Sequence, residues 1–232
     1  MTAPNPIDQV AEALRDGLAR HVAVVAGAEP LHPRAVAAIA GNVTVIAADG
    51  GLDHALAAGL RPAALVGDLD SVSADGLAWA TEHAVVSRHD PDKDLTDTEL
   101  ALATAVDLVP ARLTLVAGGG DRLDHTLAAL GALGHPTLTA VPIVEAWWGR
   151  QYLRVLHGPG RARLTGLPDG TTVSLLSAHG TCDGVTATGV RWALDGARLG
   201  PLIGHGVSNE TVAVEAEFTV ADGVLTIVVP DR

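Results

Sequence analysis

At 232 residues, 48% of them apolar, the chain can hold one large or two modest domains, and its net charge of −12 excludes the basic face of a nucleic-acid binder. No apolar run approaches the ~20 residues of a membrane span, the opening Met1-Thr-Ala-Pro-Asn-Pro-Ile-Asp8 lacks the basic-then-apolar signal pattern, and the lone Cys182 excludes a disulfide framework or thiolate metal cluster. A reducing cytoplasm fits, with neither nucleic acid nor membrane as partner, while a nucleotide substrate stays open because bound Mg²⁺ changes the local sign.

Along the chain, short β-branched runs alternate with Ala/Leu-rich segments of helical spacing. Strands are expected at His21–Ala26, Val43–Ala47, Ala63–Val66, Ala84–Ser87 and Leu113–Ala117. Helices are expected at Pro33–Ala40, Leu52–Ala58, through Trp79, at Thr98–Leu108 and at Leu123–Leu133. This alternation predicts an α/β fold, a mostly parallel sheet flanked by helices, over residues 1–150. Beyond it, Gly158-Pro-Gly160 and Pro168-Asp-Gly170 punctuate the runs Thr171–Leu176, Thr211–Ala216 and Val224–Val229 without helical period. A small antiparallel β-sandwich is expected over 151–232, with a linker near Gly149 to Gly160.

Four polar clusters fall where the parallel strands end, the place at which such sheets bind ligands: Asp49-Gly-Gly51, Gly67-Asp-Leu-Asp-Ser71, Asp90 to Asp97, and Gly118 to His125. Convergent carboxylates repel one another and call for a cation, and hard oxygen donors suit Mg²⁺ beside a phosphate. On an extended segment Asp68 and Asp70 share one side; the rival reading is a turn in which they cap backbone amides. Asp90, Asp92 and Asp94 alternate like an EF-hand opening, but Leu95 and Ala101 stand where that loop needs Gly and Glu. Thr96-Asp-Thr-Glu99 fits a capping box, which accounts for Glu99 and leaves Asp94 and Asp97 over. Lys93 is the only lysine and sits inside the acidic cluster, as a point-charge phosphate or substrate contact or by chance.

Gly118-Gly-Gly120 between a strand and a helix permits close approach of a phosphate, although it is neither a Walker A motif nor the dinucleotide fingerprint. Arg122, Asp124 and His125 beside it suit a phosphate clamp, a ribose or metal contact, and a donor; a helix-start histidine satisfied by backbone is the other reading of His125. In the second domain Trp192 taken alone reads as core, and Trp147 and Trp148 are expected at the domain junction.

Taken in order, Ala48-Asp-Gly-Gly51, Gly67-Asp-Leu-Asp-Ser71, Lys93-Asp-Leu-Thr-Asp97, Gly119-Gly-Asp-Arg-Leu-Asp-His125, Gly189-Val-Arg-Trp192 and Gly206-Val-Ser-Asn-Glu210 resemble the thiamine pyrophosphokinase family. The resemblance implies transfer of a diphosphoryl group from ATP to the thiamine hydroxyl, giving thiamine diphosphate and AMP. It also implies a homodimer whose active site lies at the interface. Carried onto this chain, Asp68, Asp70 and Asp97 would hold Mg²⁺, with Asp94 also catalytic. Asp49, Gly119, Gly120, Arg122, Asp124 and His125 would face ATP, and Lys93, Trp192, Ser208 and Asn209 would bind thiamine. The chain departs from the family at Ala129, where Asn is frequent, and at Gly204-His205, where serines are commoner. Alternatives are a pyrophosphokinase of the same architecture acting on a pterin alcohol, a metal-dependent nucleotide-sugar transferase, and a nucleotide-sensing module with an inert site.

Overall fold

Runs such as Val22–Ala26 and Leu113–Ala117 carry apolar residues on both sides of the pleat, so they are stable only when both faces are covered. In the computed structural model, which describes residues 20–27, 29–120 and 122–231, they form a parallel sheet. The N-terminal segment read for a targeting signal, and Asp121 of the glycine-rich motif, lie outside the described residues. Two compact units are present: the first takes in the described residues up to Ala132 with Ala140–Pro142 and Ala146–Gly149, the second the remainder.

The sheet of the first unit contains β1 (His21–Ala26), β2 (Thr44–Ala48), β3 (Ala64–Gly67), β4 (Val85–Arg88) and β5 (Arg112–Ala117) in the order β5-β1-β2-β3-β4. All these neighbours are parallel, with Val24 beside both Ile46 and Leu115. The connecting helices are α1 (Pro33–Ala38), α2 (Gly51–Ala57), α3 (Ala74–His83), α4 (Asp97–Asp107) and α5 (Leu123–Ala132). Ala47 and Leu65 pack with Leu52 of α2 and Ala80 of α3. Helix α4 lies across β1, β2 and β3 and buries Leu100, Ala101, Leu102 and Ala105. The α4 start is fixed by the expected capping box, Thr96 accepting from the Glu99 amide and Glu99 accepting from the Thr96 amide. Each expected strand and helix of this unit is present, displaced by a residue or two at its ends. Strand β6 (Ile143–Trp148) has its last three residues in this unit and its first three in the other.

The second unit is antiparallel throughout its named pairs. One set is β7 (Gln151–His157), β14 (Val224–Val229), β9 (Thr172–Leu176) and β12 (Asn209–Glu210). The other is β8 (Gly160–Thr165), β13 (Glu215–Val220), β10 (Cys182–Thr188) and β11 (Leu194–Leu199). Fully buried Leu175, Leu199, Phe218 and Leu225 give it its core. The expected α/β sheet followed by an antiparallel β domain is therefore observed. Two expectations are corrected. The stretch read as a linker is mostly strand β7: its Gly-rich flanks mimic a linker, but Tyr152, Leu153, Val155 and Leu156 are buried and pair with β14. The run Thr211–Ala216 is not a strand; β13 begins at Glu215, and Val212 and Val214 face solvent.

Candidate active site

Three loops at the carboxyl edge of the parallel sheet bring three carboxylates together. Asp49 follows β2, Asp68 follows β3, and Asp97 opens α4; one oxygen of each lies within 4.8 Å of the others. Gly67 makes the approach possible: a Cβ there would stand 3.0 Å from Asp97 Oδ1 and 3.1 Å from the Asp49 Cβ. Asp49 has φ +45° and only 9% exposure, and its Oδ1 has no hydrogen-bond partner. Burial pushes its carboxyl up, tempered by the Gly50 amide and the Ser71 hydroxyl and reinforced by the charges of Asp97 and Asp70. A buried carboxylate oxygen without a donor is costly and needs a reason. With two further hard oxygens beside it, a divalent ion such as Mg²⁺ fits this donor set.

Lys93 lies against the other two members. Its ammonium is 2.9 Å from Asp68 Oδ2 and 3.0 Å from Asp97 Oδ1. That bond is the main reason the Asp68 carboxyl is held below its ordinary range. Asp68 further donates its amide to Asp97 Oδ1 at 3.3 Å.

The extended Asp-x-Asp geometry is corrected to a turn. Leu69 is left-handed at φ +69°, and the Asp70 amide donates back to Asp68 Oδ1 at 3.3 Å. The two side chains thus no longer share a face by strand alternation. Asp70 stands outside the group of three and accepts from the Ser71 hydroxyl at 2.9 Å. Asp94 is exposed and likewise outside it. Asp49, expected on the ATP side, is the member the spacing of the acidic motifs did not single out. Its signal lay in Ala48-Asp49-Gly50 following the buried run Val45–Ala48.

Asp49 and Asp97 also line a cavity of about 570 Å³, together with Gly119, Gly120, Arg122 and His125. It opens beyond the ends of β1, β2 and β5, where the connection from β1 leads to β2 while β5 pairs on its other side. Crevices at such a topological switch point are where these sheets take ligands. Gly118 must be glycine, since a Cβ would meet Glu29 O at 2.2 Å. Gly119 and Gly120, at φ +111° and +154°, have open space on their Cβ side. Arg122 grips Asp124 in a fork, 2.9 Å from Nε to Oδ1 and 2.6 Å from Nη2 to Oδ2. This guanidinium holds the Asp124 carboxyl far below the usual carboxylate range. Asp124 is not in the cavity wall, whereas His125 is. Sequence reasoning missed Asp53, Ser71 and Trp148, which line the same cavity. Asp53 accepts from the Ser73 amide at 2.8 Å and its hydroxyl at 2.6 Å, so it ties α2 to the N-cap of α3.

In the second unit, Trp192 is 53% exposed, which overturns its reading as core. The Arg191 guanidinium lies 4.9 Å from its ring centre. Asn209 is buried and committed to backbone: its Oδ1 accepts from the Trp192 amide at 3.1 Å and the Glu210 amide at 2.9 Å, and its Nδ2 donates to Trp192 O at 2.7 Å. Ser208 is exposed at φ +59°, its amide donating to Ser174 Oγ at 3.0 Å.

Comparison with known proteins bears on both units. Residues 37–144 match the profile described as "Thiamin pyrophosphokinase, catalytic domain", and residues 161–225 match "Thiamin pyrophosphokinase, vitamin B1 binding domain". Among solved structures, thiamine pyrophosphokinase from Bacillus subtilis is similar at 22% identity and a TM-score of 0.78, over 91% of this chain and 99% of that one. The enzyme from Geobacillus thermodenitrificans is 26% identical with a TM-score of 0.73, over 91% and 98%. That from Candida albicans, at 14% identity and a TM-score of 0.71, spans 100% and 95%. Two domains of one family, in that family's order and over most of the chain, favour this reading over the pterin and nucleotide-sugar alternatives. The chain belongs to the thiamin pyrophosphokinase family.

Proposed function

We propose that this chain transfers the diphosphoryl group of ATP to the hydroxyl of thiamine, releasing AMP and thiamine diphosphate. The observation that carries the reading is the group Asp49, Asp68 and Asp97, with one buried donorless oxygen, two of whose members line a cavity on the carboxyl edge of the sheet.

Attack at the β-phosphorus needs alignment and charge neutralisation more than covalent help. Mg²⁺ held by Asp49, Asp68 and Asp97, with Asp70 adding negative charge nearby, would neutralise developing charge on the phosphates. The backbone at Gly119 and Gly120 is bare enough for phosphate oxygens to approach its amides. Arg122 is held by the Asp124 fork, which orients its guanidinium at the cavity wall beside His125. Lys93 would contact the transferred phosphate or the substrate, and a carboxylate near the thiamine hydroxyl, the exposed Asp94 being a candidate, would accept its proton.

Thiamine is cationic and aromatic. The exposed ring of Trp192 suits it by stacking and cation–π contact, with Asn209 acting through the Trp192 backbone it holds and the exposed Ser208, next in sequence to Asn209, as a further contact. A cytoplasmic homodimer whose active site lies at the subunit interface completes the proposal.

Incubation of the purified protein with Mg²⁺, ATP and thiamine tests it. Thiamine diphosphate and AMP are expected in equal amounts, with neither product when thiamine is omitted. ADP with thiamine monophosphate would overturn attack at the β-phosphorus, and absence of any phosphorylated thiamine would overturn the substrate.

A further inference from the structure

Lys93 does more than stand near the carboxylates: its ammonium occupies the position between two of them. The distances to Asp68 and Asp97 are 2.9 and 3.0 Å, and the lysine side chain is 15% exposed. Asp49, the third carboxylate, belongs to a residue 9% exposed and keeps Oδ1 free of any donor, so the ammonium serves two members and leaves this oxygen unserved. The arrangement is half of a cation site already filled by the protein itself.

An ammonium seated on Asp68 Oδ2 and Asp97 Oδ1 opposes a divalent ion brought to the same two carboxylates, because like charges a few ångströms apart repel strongly in a sheltered site. A surface ion pair would yield at little cost. A largely sheltered one does not, since displacing the lysine alone leaves a charge without a partner. Entry of a dication therefore requires a second anion to receive the lysine. Lys93 is the only lysine, and both carboxylates it pairs with are the ones a dication would take, so a polyphosphate arriving with the metal is the anion that can receive it.

We propose that Lys93 is the site's own counter-cation: it keeps the nucleotide-free protein unreceptive to free Mg²⁺ and releases Asp68 and Asp97 to metal only when a polyphosphate arrives to take its ammonium. This rests on the metal and ATP assignments made above. Metal and nucleotide then bind with positive coupling, and the site loads as a metal–nucleotide unit rather than metal first.

The test uses the full chain without thiamine and without turnover. Titrating Mn²⁺ or Mg²⁺ alone, by calorimetry or by the Mn²⁺ resonance signal, should show weak binding to the wild type. Binding to Lys93→Met should be tighter by at least about tenfold, and Lys93→Arg should be as weak as the wild type. For Mg²⁺ bound to α,β-methylene-ATP the order should reverse, the wild type binding more tightly than Lys93→Met. Melting of Lys93→Met should fall without metal and recover with it, marking a folded variant with an uncompensated carboxylate pair. Metal binding to Lys93→Met no tighter than to wild type, or the same order for free metal and for the complex, would overturn the proposal. Failure of the wild type to release AMP in the turnover assay would overturn the proposed reaction instead and leave these titrations standing.

Discussion

Asp49 shows how a single residue can be arranged for a ligand at the protein's expense. It follows a strand buried from Val45 to Ala48 and sits in the left-handed region, with one oxygen lacking a donor. Its carboxyl is pushed up, so it contributes its stability below its unfolded value near ~3.9 and loses that contribution as pH rises through the folded value. In EDTA the wild type should therefore lose ground to Asp49→Asn as pH climbs through that window. Asp49→Asn removes the buried charge, and above the window it should stabilise the metal-free protein by about 1 kcal/mol, a rise of roughly 2–4 °C in Tm. The same variant should lose the stabilisation that Mg²⁺ and ATP confer on the wild type. Melts from pH 4 to pH 8, with and without metal, measure both. A Tm below wild type in EDTA at pH 8 would show that the carboxylate is satisfied without an ion.

At the scale of elements, the second unit presents its exposed tryptophan from a clamped loop. Three hydrogen bonds from Asn209 hold the Trp192 backbone and the start of β12, and the asparagine is 3% exposed. Asn209→Ala strands buried backbone groups and should cost about 2–3 kcal/mol in chemical denaturation. It should also raise KM for thiamine several-fold while KM for ATP stays within about twofold, matching the direction of Trp192→Ala; equal effects on both would make the clamp a packing device. The parallel sheet and its helices were legible in the sequence because burial on both faces leaves continuous β-branched runs, and because Thr96 and Glu99 announce the α4 start. The two acidic motifs were legible as a pair, since both follow strand ends. The turn at Leu69 was not: Asp-x-Asp has the same spacing whether extended or folded back, and only tertiary contacts choose a left-handed leucine. Strand β13 was misplaced because exposed Val212 and Val214 imitate the inward face of a strand. Strand β7 was hidden by glycines at both its ends.

Those misleading valines matter at the scale of the whole molecule. Eleven large apolar residues are exposed among those described, and six of them, Trp192, Leu202, Ile203, Val207, Val212 and Val214, fall within one short stretch of the second unit. Scattered exposed apolar residues need no explanation, but six within residues 192–214 exceed scatter, and a surface covered in use would account for them. A second copy of the chain is the occupant consistent with the proposed homodimer. Two copies each carrying a net charge of −12 repel one another, but the Debye length of ~8 Å at physiological ionic strength confines that repulsion to close charges. Association should therefore tighten as salt is raised from ~10 mM to ~150 mM, the trend of an apolar interface between like-charged partners. Sedimentation velocity at micromolar concentration should give a dimer. Val212→Asp with Val214→Asp places charge where the two valines are 54% and 82% exposed, so the monomer fold has no reason to suffer. The double variant should sediment as a monomer with an unchanged Tm at low concentration. If its dimer persists, the contact lies elsewhere on the molecule. If the wild type is a monomer at tens of micromolar, the apolar stretch serves some other purpose and the thiamine site must be complete within one chain.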